Sequence, residues 1–147
     1  MNGASDYSSE DAERFRLNDT RSQTMRDYYL YLWGLPMKLK DAGTIIHETV
    51  EKVHFENNTA LKLQVTYEET TGQDTWYFYI DPVTYRMVGY QFFHDESIND
   101  GEYITLGEPL TISGMRIPND RSWYVNKDST YLGTDRITYA GVLAPHH

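Results

Sequence analysis

The spacing of apolar residues changes once along the chain, near residue 44. Before that point, apolar side chains recur at the three- and four-residue spacing of a helix with one buried face. They are Met25, Tyr28, Tyr29 and Leu32. The pattern predicts a short helix that begins with a capping box at Thr20 to Gln23. Gly34 is expected to end this helix in a left-handed conformation, and Pro36 prevents its continuation.

After residue 44 the apolar spacing becomes roughly two, and turn sequences recur every eight to twelve residues. The predicted strands are 44–55, 60–67, 75–80, 86–94, 103–106, 110–116, 121–127 and 131–139. Parallel neighbours need crossovers of about ten or more residues, which these short connections do not provide. The sequence therefore predicts an α+β fold: an N-terminal helix packed on a curved antiparallel β-sheet, a half-barrel-like meander of about seven to nine strands.

A chain of 147 residues has the size of one domain. Residues 1–17 are polar, acidic and aperiodic, which is typical of a disordered or loosely packed tail. We expect residues 18–143 to form a single curved-sheet domain.

The two central predicted strands are apolar on both faces, which an ordinary two-layer sheet is not. Trp76 and Phe78 alternate with Tyr77 and Tyr79 along the first of them. Three explanations remain open for the second face. The sheet curls so that its rings pack on one another, it encloses a ligand cavity, or it binds a partner chain.

Composition excludes several classes of function. The net charge of −9 disfavours binding to nucleic acid, since the few cations are interleaved with neutral or acidic residues. Without cysteine the chain has no thiolate chemistry and no disulfides. No apolar run has the length of a transmembrane segment, and the first residues lack the pattern of a signal peptide. From these residues alone we expect a soluble protein.

Candidate catalytic and metal motifs fail on spacing. The acidic stretch 94–102 starts like an EF-hand loop, but Asp100 stands where glycine is required and Leu106 where a bidentate glutamate is required. His47 and His54 are an odd number of residues apart on one predicted strand, so they point to opposite faces unless a bulge intervenes. No nucleophile elbow, phosphate loop or dinucleotide motif is present. We therefore predict no enzyme activity, no catalytic residues, no metal site and no cofactor.

Four segments together resemble a known group of proteins. They are 33–39, 74–85, 89–92 and 101–104, with tryptophans, glycines and the Asp81-Pro82 turn in a fixed order. The chain resembles uncharacterised envelope proteins of Bacteroidetes that carry a domain-of-unknown-function label. Its strand–Asp-Pro-x-Thr–strand hairpin is more distantly similar to the periplasmic lipoprotein-carrier superfamily. The resemblance implies a curved half-barrel that holds acyl chains, a location in the periplasm or cell envelope, and no catalytic residues.

The function predicted from these features is non-catalytic binding of an apolar or amphipathic, lipid-like ligand in the concave aromatic face. The predicted ligand-binding residues are Trp76, Phe78, Tyr90, Phe92, Trp123, Tyr124 and Arg121, with the arginine at the polar end of the ligand. The main alternative is a protein–protein interaction module, such as a homodimer formed through the edge strand at 44–55. A small hydrolase-like enzyme is the third hypothesis.

Overall fold

A computed structural model describes residues 7–140 of the chain. The chain divides between Lys40 and Asp41 into two compact units, a helical unit and a strand unit. Each unit is described in turn.

The helical unit begins with a helix that the sequence pattern did not predict. Helix α1 spans Ser9–Phe15, and the Ser8 hydroxyl accepts a hydrogen bond from the backbone N–H of Asp11 at 3.0 Å. None of its residues is buried, so no apolar stripe was available to reveal it. The division into a loosely packed tail and a domain from residue 18 stays a prediction.

Helix α2 spans Asp19–Gly34 and confirms the predicted helix, although both of its ends differ from expectation. Its N-cap is Asn18, whose side chain accepts from the N–H of Arg21 at 2.8 Å. The predicted capping box at Thr20 was therefore two residues late. Gly34 is the last helical residue, and its φ is not positive, so the expected left-handed end is wrong. The chain leaves the helix at Leu35, which is extended with φ of −68° and ψ of 143°. A short 3-10 helix, Met37–Lys40, ends this unit.

The strand unit contains one large sheet. Its strands are β1 Thr44–Phe55, β2 Asn58–Tyr67, β3 Thr75–Ile80, β4 Met87–Phe93, β5 Glu102–Leu106, β8 Asp120–Val125 and β9 Tyr131–Arg136. They are ordered β1-β2-β3-β4-β5-β8-β9, and every neighbouring pair is antiparallel. The predicted α+β class with a curved antiparallel meander of seven to nine strands is confirmed, and the sheet remains open rather than closed into a barrel.

The single strand predicted at 110–116 was wrong. Two short strands, β6 Pro109–Ile112 and β7 Met115–Pro118, form a separate two-stranded sheet in the connection from β5 to β8. Between them, Ser113 and Gly114 have φ of 49° and 79°. Two successive positive φ values are typical of the tight turns that join hairpin strands, so this dipeptide reverses the chain where alternation alone suggests continuity.

Irregular pairing bends the large sheet at three places. The register shifts between Ile46 and Val50 in β1, at Val88 in β4 and at Leu132 in β9. Such bulges raise the local twist and turn a flat sheet into a curved one.

Candidate ligand-binding face

Strand register places six of the seven predicted ligand-binding residues on one face of the sheet. Trp76 lies opposite Phe92, and Phe78 lies opposite Tyr90 across β3 and β4. Ile104 links this set to β8, because it lies opposite both Tyr90 and Trp123. Arg121 is two residues from Trp123 and shares its face. We call this set the tryptophan face: Trp76, Phe78, Tyr90, Phe92, Ile104, Arg121 and Trp123.

Four rings form the centre of the tryptophan face. Trp76 contacts Phe92, Tyr90 and Phe78 with centroid distances of 5.0, 6.0 and 6.1 Å. Phe78 and Tyr90 are 6.1 Å apart. All four side chains are buried, and the most exposed of them, Phe92, is 8% exposed. These spacings lie in the range of favourable offset and tilted ring pairs, so the rings form one continuous apolar surface.

A fully buried cation lies beside these rings. Arg121 is 0% exposed and lies opposite Asp135 of β9. Burial lowers the pKa of Arg121, while its interactions with Tyr90 and Asp135 act in the opposite direction. The Trp123 indole N–H also donates to Asp135 at 3.0 Å. An arginine remains protonated in proteins, so the tryptophan face holds a positive charge at its β8 side.

Tyr124 is the predicted residue that the structure separates from the others. It lies opposite Tyr103 on the other face of the sheet, with their rings stacked at 5.0 Å. We call this the tyrosine face: Phe55, Ala60, Tyr77, Tyr79, Phe93, Tyr103 and Tyr124. Both faces of the central hairpin β3–β4 are therefore aromatic, as the alternation predicted.

The tyrosine face is filled by side chains of the sheet itself. The Phe55 ring stacks on Tyr79 at 3.9 Å and occupies the space above Gly89, where a Cβ atom would collide with it. Gly89 is thus required by close packing, as is typical of glycine inside a strand.

The phenol groups of the tyrosine face have hydrogen-bond partners. Tyr77 donates to the Glu96 carboxylate at 3.0 Å, and Tyr79 donates to Gln91 at 2.6 Å. Gln91 in turn donates to Asn126 at 3.0 Å. Burial, followed by the hydrogen bond to Glu96, raises the pKa of Tyr77 to about 12. Burial also raises the pKa of Tyr79 to about 12, so both phenols stay protonated donors at neutral pH.

In the acidic stretch at 94–102, carboxylates accept hydrogen bonds from neighbouring backbone N–H groups and so stabilise the loop. Asp95 caps a short 3-10 helix, Glu96–Ile98, and Asp100 accepts from the backbone N–H groups of His94 and Asp95. His94 lies 2.7 Å from Asp74, and this hydrogen bond raises the pKa of His94. Within residues 7–140, no group of three or more His, Cys, Asp and Glu side chains could hold a metal ion.

Sequence reasoning missed two residues that complete the faces. Asp135 contacts the polar edge of the tryptophan face, and Phe55 covers the tyrosine face. Their positions depend on the β8–β9 register and on the ring conformation at the end of β1. No local motif in the sequence carries that information.

Among residues 7–140, no helix combines the length and the apolar character needed to cross a membrane.

Comparison with family models identifies a family that covers most of the chain. Residues 2–138 match a family of unknown function (DUF6503). No curated protein and no solved structure matches the chain. Since the match covers nearly the whole length, the chain belongs to this family of unknown function.

Proposed function

We propose that the tryptophan face binds an apolar or amphipathic, lipid-like molecule without changing it chemically. The observation that carries this proposal is the fully buried guanidinium of Arg121 beside a continuous surface of four rings. Binding sites for small molecules are typically lined by apolar and aromatic side chains, with a few polar groups that fix orientation. Here the rings accommodate the apolar part, and Arg121 with Tyr90 orients the polar end.

The energetics favour an anionic, long-chain ligand. Each 100 Å² of apolar surface removed from water contributes roughly 2.5 kcal/mol. A carboxylate near a buried guanidinium adds a charge-assisted hydrogen bond, which is about twice as strong as a neutral one. The rings therefore supply most of the affinity, and the arginine supplies the orientation.

Access to this face requires a local opening. The four rings are less than one tenth exposed, so a ligand reaches them only when this part of the molecule moves. We expect slow association, limited by opening rather than by diffusion.

The resemblance to periplasmic lipoprotein carriers extends the proposal. An open, curved antiparallel sheet with an aromatic face that carries a buried cation is consistent with a carrier of this kind. On the same ground we propose the periplasm or cell envelope, in Bacteroidetes, as its location.

Titration with dodecanoate, followed by calorimetry, tests the proposal. Phe92 and Phe93 are neighbours with 8% and 6% exposure, but they lie on opposite faces. Phe92→Leu removes a ring contact worth about 0.5–1.5 kcal/mol, so its Kd should rise about two- to tenfold. Phe93→Leu is the matched control and should leave Kd unchanged.

Two results contradict ligand binding at this face. The first is no heat of binding with the wild-type chain, which would leave the rings as ordinary core. The second is an equal loss of affinity in both variants, since a general loss of packing affects either face alike. Thermal unfolding of each variant confirms that it is folded at the temperature of the titration.

A second candidate function is pairing through the edge strand β1. Among residues 7–140, β2 is the only strand paired with β1. Ile45, Ile46 and Val50 are 45%, 49% and 51% exposed. Exposed β-branched residues on an edge strand favour pairing with another strand, here that of a second copy. A homodimer of this kind should be seen by sedimentation equilibrium and weakened at least tenfold by Val50→Lys. A monomer at all concentrations contradicts it.

A further inference from the structure

The loops of the strand unit are sorted to two ends of the large sheet. Because neighbouring strands are antiparallel, successive connections alternate between the ends. One end carries loops 56–57, 81–86 and 107–119, and the opposite end carries loops 68–74, 94–101 and 126–130. We call the first the tip end and the second the acidic end.

Large apolar side chains project into solvent at the tip end. Val83 and Tyr85, in the turn between β3 and β4, are 82% and 75% exposed. Leu110 and Met115, in the β6–β7 hairpin, are 41% and 53% exposed. The two connections are separated by about two strand spacings, roughly 10 Å. These four residues share one end of the sheet, and we call them together the tip surface.

The turn that presents Val83 and Tyr85 is rigidly held. The Asp81 carboxylate accepts from the N–H of Val83 at 3.0 Å, from the N–H of Thr84 at 2.6 Å and from the Thr84 hydroxyl at 2.8 Å. Tyr85 has a φ of 55°, a conformation that favours glycine or asparagine. A bulky aromatic residue is thus kept at an unfavourable position while three quarters of it faces water. This suggests that the tyrosine side chain has a role outside the fold.

The β6–β7 hairpin extends away from its surroundings. At Gly114 a Cβ atom would have nothing within 4 Å, so the tip of the hairpin lies in open space. Thr111, Met115 and Arg116 are exposed along it.

Charge distinguishes the two ends strongly. The loops of the acidic end hold seven acidic residues and one lysine. The loops of the tip end hold three acidic residues and two arginines, Arg86 and Arg116, which directly follow Tyr85 and Met115 in the chain. A negatively charged end avoids phosphate groups, whereas an apolar, nearly neutral end does not.

We propose that the tip surface docks on the surface of a zwitterionic phospholipid membrane. Val83, Leu110 and Met115 enter the boundary between headgroups and acyl chains, and Tyr85 lies at the headgroup level, where tyrosine is favoured in membranes. Arg86 and Arg116 pair with lipid phosphates, and the acidic end orients the molecule away from the bilayer. The surface is separate from the tryptophan face, and docking does not depend on ligand binding there.

Co-sedimentation with phosphatidylcholine vesicles tests this inference on the full chain. The wild-type chain should bind, and adding one fifth phosphatidylglycerol should not strengthen binding, because the overall charge is −9. The double variant Val83→Asp/Met115→Asp should lose at least tenfold in partition coefficient. Ile98→Asp is the matched control, since Ile98 is an exposed apolar residue at the acidic end, 65% exposed. It should bind vesicles like the wild type.

Other outcomes overturn the inference. They are no binding to the vesicles, an equal loss with Ile98→Asp, or self-association that the double variant abolishes without any vesicle binding. Dodecanoate titration without vesicles separates this inference from the proposed function. The double variant should bind dodecanoate with the wild-type Kd, and vesicle binding without dodecanoate binding removes the proposed function alone.

Discussion

The two faces of the central hairpin are similarly aromatic, but they are completed in different ways. On the tyrosine face, Phe55 fills the space above Gly89, and the phenols of Tyr77 and Tyr79 have side-chain acceptors. On the tryptophan face, the buried cation of Arg121 interacts with Tyr90 and with Asp135. Aromatic content is therefore a poor guide to a binding surface. The position of a buried charge, which is unfavourable unless compensated, distinguishes the two faces better.

The largest effect on stability is expected from Arg121→Met. Removing the cation takes away the favourable electrostatic interaction of Arg121 with the half-buried Asp135 carboxylate. We expect a cost of about 3 kcal/mol, at the lower end of what breaking a buried pair costs. Urea denaturation measures the change in the free energy of unfolding. Arg136→Met is the control, since its ion pair with Asp120 is largely exposed on the arginine side and should contribute less than about 1 kcal/mol. If both variants lose the same free energy of unfolding, the buried charge of Arg121 stabilises the fold no more than an exposed one does.

Gly89→Ala tests whether the tyrosine face is full. The added methyl group would meet the Phe55 ring and would lie 2.7 Å from the carbonyl oxygen of Ile104. Overpacking of this kind costs about 1–3 kcal/mol. At Gly72 the same change meets only the Tyr67 ring at an ordinary 3.6 Å, so Gly72→Ala should change stability by less than about 0.5 kcal/mol. A tolerated alanine at residue 89 would mean that this face retains free volume.

Tyr79→Phe removes one hydrogen bond from the tyrosine face and leaves the ring in place. The lost bond to Gln91 should lower the free energy of unfolding by about 1 kcal/mol. Tyr85→Phe, at an exposed position, should have no measurable effect on stability. If both variants unfold like the wild type, the phenol network does not stabilise the face.

The smallest effect concerns pH and the pair His94–Asp74. The hydrogen bond to Asp74 raises the pKa of His94 in the folded chain, so the pair stabilises the fold fully below the unfolded pKa of about 6.5. This stabilisation is lost as pH rises through the higher folded pKa. Since 63% of the histidine side chain is exposed, the effect is small.

Thermal unfolding of the wild type and of His94→Gln, compared between pH 5 and pH 9, measures the contribution of this pair. The wild type should be more stable only at the acidic end of that range, and Asp74→Asn should remove the difference. A wild-type advantage that grows with pH contradicts the assignment.

The sequence allowed prediction of those features that depend on local alternation. Strand β3 was predicted with its observed bounds, Thr75–Ile80, because apolar residues of both parities mark it clearly. The predicted ligand-binding residues included both Trp123 and Tyr124. Adjacent residues of a strand point to opposite faces, so only one of the two could belong to that face. The choice of Trp123 for the tryptophan face required the β5–β8 register.

Features that depend on distant contacts could not be predicted. Asp135 lies opposite Arg121 and accepts from Trp123 through the pairing of β8 with β9, and no local pattern in either strand fixes that register. The hairpin β6–β7 was missed for a different reason. Its Ser113-Gly114 turn was read as part of a strand, although the dipeptide favours positive φ.

Native mass spectrometry of the purified chain tests the central claim most directly, that the tryptophan face holds a lipid-like molecule. We predict a monomer of 17.2 kDa that carries an additional mass of lipid size. A smaller fraction of the chain should carry this mass in Arg121→Lys and in Phe92→Leu, and an unchanged fraction in Phe93→Leu. A dimer without any added mass would contradict the account and favour pairing through β1.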